Sequence, residues 1–230
     1  MISLKWLVAA LLISIALIGC TWLPRGVDAK SYPELGFTIL DGNDKHCLTC
    51  GKHIPQKHNG NITWHASGEY LVFTAQNEDA EGDLLDSVAI PGVGLNCNLW
   101  AMSVDGEQVW RLTDLPTYQQ TPQGVLHPQF SHDGEQLFWS QALGEYSPVC
   151  GEEWGKWQLA VADFVVENDA PRLENICYFR PGSKPRFHES HGWSLDDTSV
   201  IFSGNPEDGY HPPNGLDIYM LDIRRAKPPA

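Results

Sequence analysis

"HPQFSHDGEQLFWS", residues 127–140, sets His127 and a proline ahead of a short apolar alternation, then an Asp-Gly turn, then a second alternation through Trp139. Two β-strands joined by a tight turn read this way, with apolar residues on one face of each strand and Gly134 taking the positive φ of the turn. Two other stretches match it: "NITWHASGEYLVFTAQ" from Asn61 and "ESHGWSLDDTSVIFSG" from Glu189. Trp64, Phe130 and Trp193 align at spacings of 66 and 63 residues, followed by Leu71, Leu137 and Val200 in the second strand. Asp197 stands where the other two copies have glycine, which predicts a different turn in the third.

Downstream of each hairpin a third strand recurs, "NLWAMSVDG", "QLAVADF" and "DIYMLDI", with Trp100, Ala160 and Tyr219 equivalent at spacings of 60 and 59. A fourth strand, "QVWRLTD", closes the first unit. Four short strands per unit is the content of one propeller blade, a twisted sheet that buries its two faces only by stacking on its neighbours. The large residues at the aligned position fill the space between sheets.

The pattern aromatic–Ser–x–Asp–Gly–x–x–apolar–apolar–aromatic, followed by "LDIYMLD", resembles the TolB-like, WD-repeat-like bacterial β-propeller repeat. The resemblance runs from about residue 58 to 225 and implies an all-β propeller of four-stranded blades, here about three of them. It names a scaffold and not an activity, since such propellers serve as protein-binding modules, sugar-processing enzymes and peptidase gates. Propellers close with about 4 to 8 blades, so the expectation is an incomplete propeller: the truncated product of a longer one, which is favoured because an uncovered last sheet would expose an edge and an apolar face, or one whose open edges another chain covers. The domain reading is a leader over 1–19, an N-terminal segment over 20–57 and a partial propeller over 58–230.

The leader reading comes from "MISLKWLVAALLISIALIGC": one positive charge at Lys5, then an apolar run from Trp6 to Gly19. That run is shorter than the ~20 residues of a spanning helix and matches a signal-peptide core. Leu17-Ile18-Gly19-Cys20 resembles the lipobox of bacterial lipoproteins, which implies lipidation of Cys20 and export to the periplasm or cell surface. Thr21 in place of aspartate implies outer-membrane sorting if the cell is Gram-negative.

The net charge is −14 and no Lys/Arg cluster stands out, which argues against nucleic acid as a partner. Other cell-envelope proteins, or a small ligand at the channel mouth, are the expected partners, with the membrane engaged through the lipid.

Export makes disulfides expected among Cys47, Cys50, Cys97, Cys150 and Cys177. Cys97 and Cys150 both fall just ahead of third strands in neighbouring units, which predicts a bridge between them. "HCLTCGKHIPQKH", residues 46–58, offers Cys47 and Cys50 as a disulfide or, with His53 and His58, as metal ligands. Gly51 stands where covalent haem attachment needs histidine.

"GWSLDD" around Ser194 is no hydrolase elbow, because Ser194 aligns with Ser131 in the ordinary strand-to-turn position. "NEDAEGDLLD", 77–86, lacks the ligand spacing of a calcium loop and reads as a solvated acidic loop.

His127, His188, Glu189 and His191 all sit on first strands just ahead of the aligned aromatics, where a propeller lines its channel. They make a candidate site for zinc or manganese. Alternation pairs Glu189 with His191 and opposes His188 unless a bulge re-aims it. The leading function is an exported lipoprotein acting as a binding or interaction module. The alternatives are a metal-dependent, lyase-like propeller enzyme acting on acidic oligosaccharide, or the propeller part of a peptidase.

Overall fold

The structure is a computed structural model, and it describes residues 31–32, 37–38, 45–80, 94–117, 123–144, 155–206 and 215–224. The leader, Cys20, Thr21, Cys150 and most of the acidic loop lie outside the described residues. The chain divides into two units, Met1–Cys47 and Leu48–Ala230. In the first, β1 (Ser31–Tyr32) pairs antiparallel with β2 (Phe37–Thr38).

The second unit is all-β among its described residues, apart from one 3-10 residue at Arg224, and forms three blades of a β-propeller. Blade 1 holds β3 (Asn59–Trp64), β4 (Tyr70–Gln76), β5 (Cys97–Ser103) and β6 (Val109–Arg111). Blade 2 holds β7 (Gln123–Phe130), β8 (Gln136–Leu143), β9 (Trp157–Glu167) and β10 (Ala170–Phe179). Blade 3 holds β11 (His188–Trp193), β12 (Ser199–Gly204) and β13 (Asp217–Asp222). Each is an antiparallel meander in chain order, and the first strands lie side by side, β7 between β3 and β11.

Period-two alternation gives each blade two apolar faces, a leading one toward the preceding blade and a following one toward the next. The first joint packs Val72, Leu99 and Ala101 of blade 1 against Phe130, Leu137 and Trp139 of blade 2. The second joint packs Phe138, Leu159 and Val161 of blade 2 against Trp193, Val200 and Phe202 of blade 3. Burial of each such large side chain contributes roughly 1.5–3 kcal/mol. The same positions serve at both joints: Phe138 pairs with Val161 across blade 2 as Val72 pairs with Ala101 across blade 1.

Backbone contacts latch the joints. Val125 N donates to Gly94 O at 3.1 Å and Asn96 N to Gln123 O, while Trp157 N donates to Arg186 O at 2.8 Å. At the first latch a Cβ on Gly124 would stand 2.0 Å from the Gly94 carbonyl oxygen, so only glycine fits.

The turns repeat as well. Gly68, Gly134 and Asp197 all have positive φ, 75°, 78° and 51°, and their N–H groups donate to His65, Ser131 and Ser194 carbonyls. The expected change of turn at Asp197 is therefore absent: an aspartate tolerates the left-handed region at a cost of about 1 kcal/mol. Its carboxylate has a use there, accepting from the His132 and Asp133 N–H groups of blade 2 and from His132 Nδ1 at 2.7 Å. These donors hold its pKa low against the burial that raises it.

Cys97 is a free thiol buried in the first joint, and Cys150, its expected partner, lies outside the described residues. Its Sγ donates to Leu95 O at 3.5 Å, and burial pushes its pKa up to about 12. Strand alternation turns the side chain into the core, where spacing along the chain had suggested only that the two backbones approach. Cys47 and Cys50 are both disulfide-bonded.

Candidate functional site

The inner strands share a defect. Register shifts fall between Gly60 and Thr63 in β3, between Leu126 and Gln129 in β7, and between Ser190 and Gly192 in β11. Asn61 and His127, equivalent in the repeat, both adopt positive φ at the bulge, 50° and 47°. For His127 this is costly, because the following Pro128 pushes it toward extended backbone. Bulges re-aim side chains, and here the result is a cluster drawn from blades 2 and 3.

His127 Nδ1 lies 3.0 Å from Glu189 Oε1 and donates to it. Ser203 Oγ donates to Glu189 Oε2 at 3.4 Å, and His191 Nε2 lies 3.0 Å from the same hydroxyl and 3.9 Å from the carboxylate. The His127 and His191 rings are 6.1 Å apart. The hydrogen bond from His127 holds the Glu189 carboxyl below the usual carboxylate range, against the burial that raises it. The arrangement is a fixed carboxylate shared by two imidazoles and a hydroxyl, suited to holding a polar or cationic group.

The structure thus brings together His127, Glu189 and His191 but not His188. Alternation sends His188 to the leading face, where its ring meets Phe202 edge-on at 5.4 Å and abuts Gly204. Among the described residues, no three His, Cys, Asp or Glu side chains stand in the geometry of a metal site. The cluster's members hydrogen-bond one another instead of facing a common point. His53 and His58 do not join it; Asn61 holds the blade 1 position equivalent to His127. Ser194 is structural, its hydroxyl donating to Asp196 at 2.7 Å within the turn.

Two features escaped the sequence reading. Ser140 Oγ accepts from Ser190 N at 2.8 Å and donates to Ser190 Oγ, which in turn reaches His127 O at 2.8 Å, a buried polar hub across the second joint. Ser140 and Ser203 are equivalent at a spacing of 63, so alignment could have flagged both. A groove of about 900 Å³ between blades 2 and 3 carries Asp133, Glu135, Asp163, Asp196 and Asp197 with Arg224.

Among the described residues the last sheet also leaves an apolar face uncovered, as an incomplete propeller implies. Ile201, Ile218 and Met220 on the following side of blade 3 are 40%, 83% and 73% exposed. Their equivalents in blades 1 and 2 are all buried in the joints.

No family model and no curated protein sequence matches this chain. Among solved structures it is similar to TolB from Acinetobacter baumannii, at 10% identity and a TM-score of 0.43, covering 74% of this chain and 31% of that one. It is similar also to a prolyl oligopeptidase B from Galerina marginata bound to a macrocyclization substrate, at 14% identity and a TM-score of 0.39, covering 71% and 19%. The chain spans less than a third of either protein's length.

Proposed function

We propose that this protein is an exported cell-envelope lipoprotein, anchored through Cys20, that works as a propeller-based binding module rather than a catalyst. One observation carries the binding reading: the following face of blade 3 presents Ile201, Ile218 and Met220 to solvent at positions the fold otherwise reserves for a packed partner. Contiguous exposed apolar surface of this kind marks interaction sites. The leader and the Leu17-Ile18-Gly19-Cys20 stretch support the anchor.

A photo-crosslinking residue placed at 218 or 220 in cells tests the binding reading, with exposed Leu195 in the β11–β12 turn as control. Adducts to protein at 218 and 220 and none at 195 are expected; no adduct at any position removes the reading. Cys20→Ser tests the anchor: the variant should lose an incorporated acyl label, and retention of full label would refute lipidation.

A second reading, a metal-dependent enzyme, rests on the convergence of His127, Glu189 and His191. Metal analysis of the purified mature protein decides it. Zinc or manganese bound at neutral pH and lost from both His127→Ala and His191→Ala would support it; no metal in the unaltered protein would end it.

A further inference from the structure

We infer that the partner on the open face of blade 3 is a second copy of this chain, joined head to tail through blade 1. The inference rests on the binding reading above and names its occupant.

The joint is written into the repeat. At each internal joint, a following face built from three equivalent positions receives a leading face whose inner aromatic is Phe130 or Trp193. The same molecule carries both halves unsatisfied. Ile201, Ile218 and Met220 form the third following face, and Trp64, the third aromatic, is 57% exposed beside Ile62 on blade 1.

Ser203 marks the inner end of that face. Its equivalent in blade 2, Ser140, meets Ser190 on the first strand of the next blade; a second copy's β3 would bring Asn61 to the corresponding place.

The rest of blade 1's leading face is covered by its own chain. Leu48 and Ile54 lie over Phe73, Ala75, Met102 and Trp100, which belong to the second and third strands, and leave Trp64 open near the first. In the proposed joint Trp64 therefore seats against Ile201, while the outer surface of that cover lies over Ile218 and Met220.

Charge favours this. Residues 48–58 carry Lys52, Lys57, His53 and His58 and no acidic residue, in a chain of net charge −14. The face they would cover carries Glu189 on its first strand and Asp222, paired with Arg224, at the end of its third. Two copies of the three described blades, joined this way, make both joints identical under one twofold axis, a ring of six blades.

Sedimentation velocity of the mature protein tests the inference. Twice the chain mass is expected, falling to a single chain mass in both Ile218→Asp and Trp64→Asp, whose positions are exposed and whose folds are checked by circular dichroism. Mixing the two variants restores one intact joint and should recover part of the dimer, which neither forms alone. A dimer indifferent to Trp64→Asp would mean a blade 3 to blade 3 contact and overturn the proposal. A monomer at every soluble concentration would also overturn it. In that case, crosslinks from position 218 to a different protein would leave the binding reading standing, and their absence would remove that too.

Discussion

Blades 1 and 3 end the described stack with opposite faces, the leading face of one and the following face of the other, and the two are treated differently. The leading face of blade 1 is roofed by residues 48–57, with Ile54 only 4% exposed against Leu71 and Phe73. The roof is stapled by Gln56, whose amide nitrogen donates to the Thr49, Lys52 and Ile54 carbonyls and whose oxygen accepts from Gly51 N. Lys52 reaches Glu107 at 3.2 Å, and Lys57 reaches the Ala80 carbonyl. Among the described residues the following face of blade 3 has no such cover. A stacked fold needs its terminal sheets sealed, because each sheet has two apolar faces and an edge; among the described residues one end is sealed from within the chain, and the other stands exposed.

The sharpest way to break this comparison is to damage the roof. Ile54→Ala deletes buried methylene groups from the blade 1 cluster and should cost about 2–5 kcal/mol in urea unfolding. A loss under about 0.5 kcal/mol would mean the roof is not part of the folded unit.

The joint between blades 2 and 3 comes next in size. Ser190→Ala leaves Ser140 Oγ without its hydroxyl partner and removes the bond to the His127 carbonyl, where both serines are fully buried. A loss of about 1–3 kcal/mol is expected, with blade 3 amides exchanging hydrogen faster than those of blade 1. Uniform acceleration across all three blades would show that the blades unfold as one and that the joint is not a weaker seam.

How much of this was legible beforehand depends on the range of the interaction. The hairpin alternation and the spacing of Trp64, Phe130 and Trp193 placed every inner strand and two of the three aromatics in joints, since both follow from period-two patterning repeated along the chain. The roof was not legible. Leu48 and Ile54 are isolated apolar residues in a polar stretch, and cysteine and histidine spacing drew attention to ligand chemistry there, whereas what the segment does is cover Phe73. At the cluster, alternation correctly separated His188 from Glu189 and His191. The bulges at Asn61 and His127 were hidden, because Asn and His tolerate positive φ better than most residues but also occur throughout ordinary strands and loops, so neither marks a bulge by itself. For Cys97 the approach of two strands was inferred without asking which way its side chain points, and it points into the first joint.

Glu189 carries a smaller effect, visible only in acid. Its carboxyl sits below its ordinary pKa in the folded state, mainly through the His127 hydrogen bond. Such a group contributes stability that is fully present above the unfolded value, about 4.3, and is lost as pH falls through the folded value. The acid limb of the stability profile should therefore be steeper for the unaltered protein than for Glu189→Gln, with a difference at neutral pH of about 1 kcal/mol. Superimposable acid limbs would show that His127 and Glu189 do not interact in solution.

The smallest expected effect completes the contrast with Ile54. Ile218→Ser removes a side chain of the same type from the third strand of blade 3, but one that is 83% exposed. Measured where the protein is dilute enough to be monomeric, the change should stay within about 0.5 kcal/mol, because no packed neighbour is lost and water already covers the site. At high concentration the outcome should differ. A face buried in a dimer adds stability through mass action, so the unaltered protein's unfolding midpoint rises with concentration while that of the variant stays flat. The two Ile substitutions then separate cleanly: damage to the roof is independent of concentration, and damage to the open face depends on it. If Ile218→Ser were instead destabilising at every dilution, the side chain would be packed within its own chain and blade 3 would not be the open end of the stack.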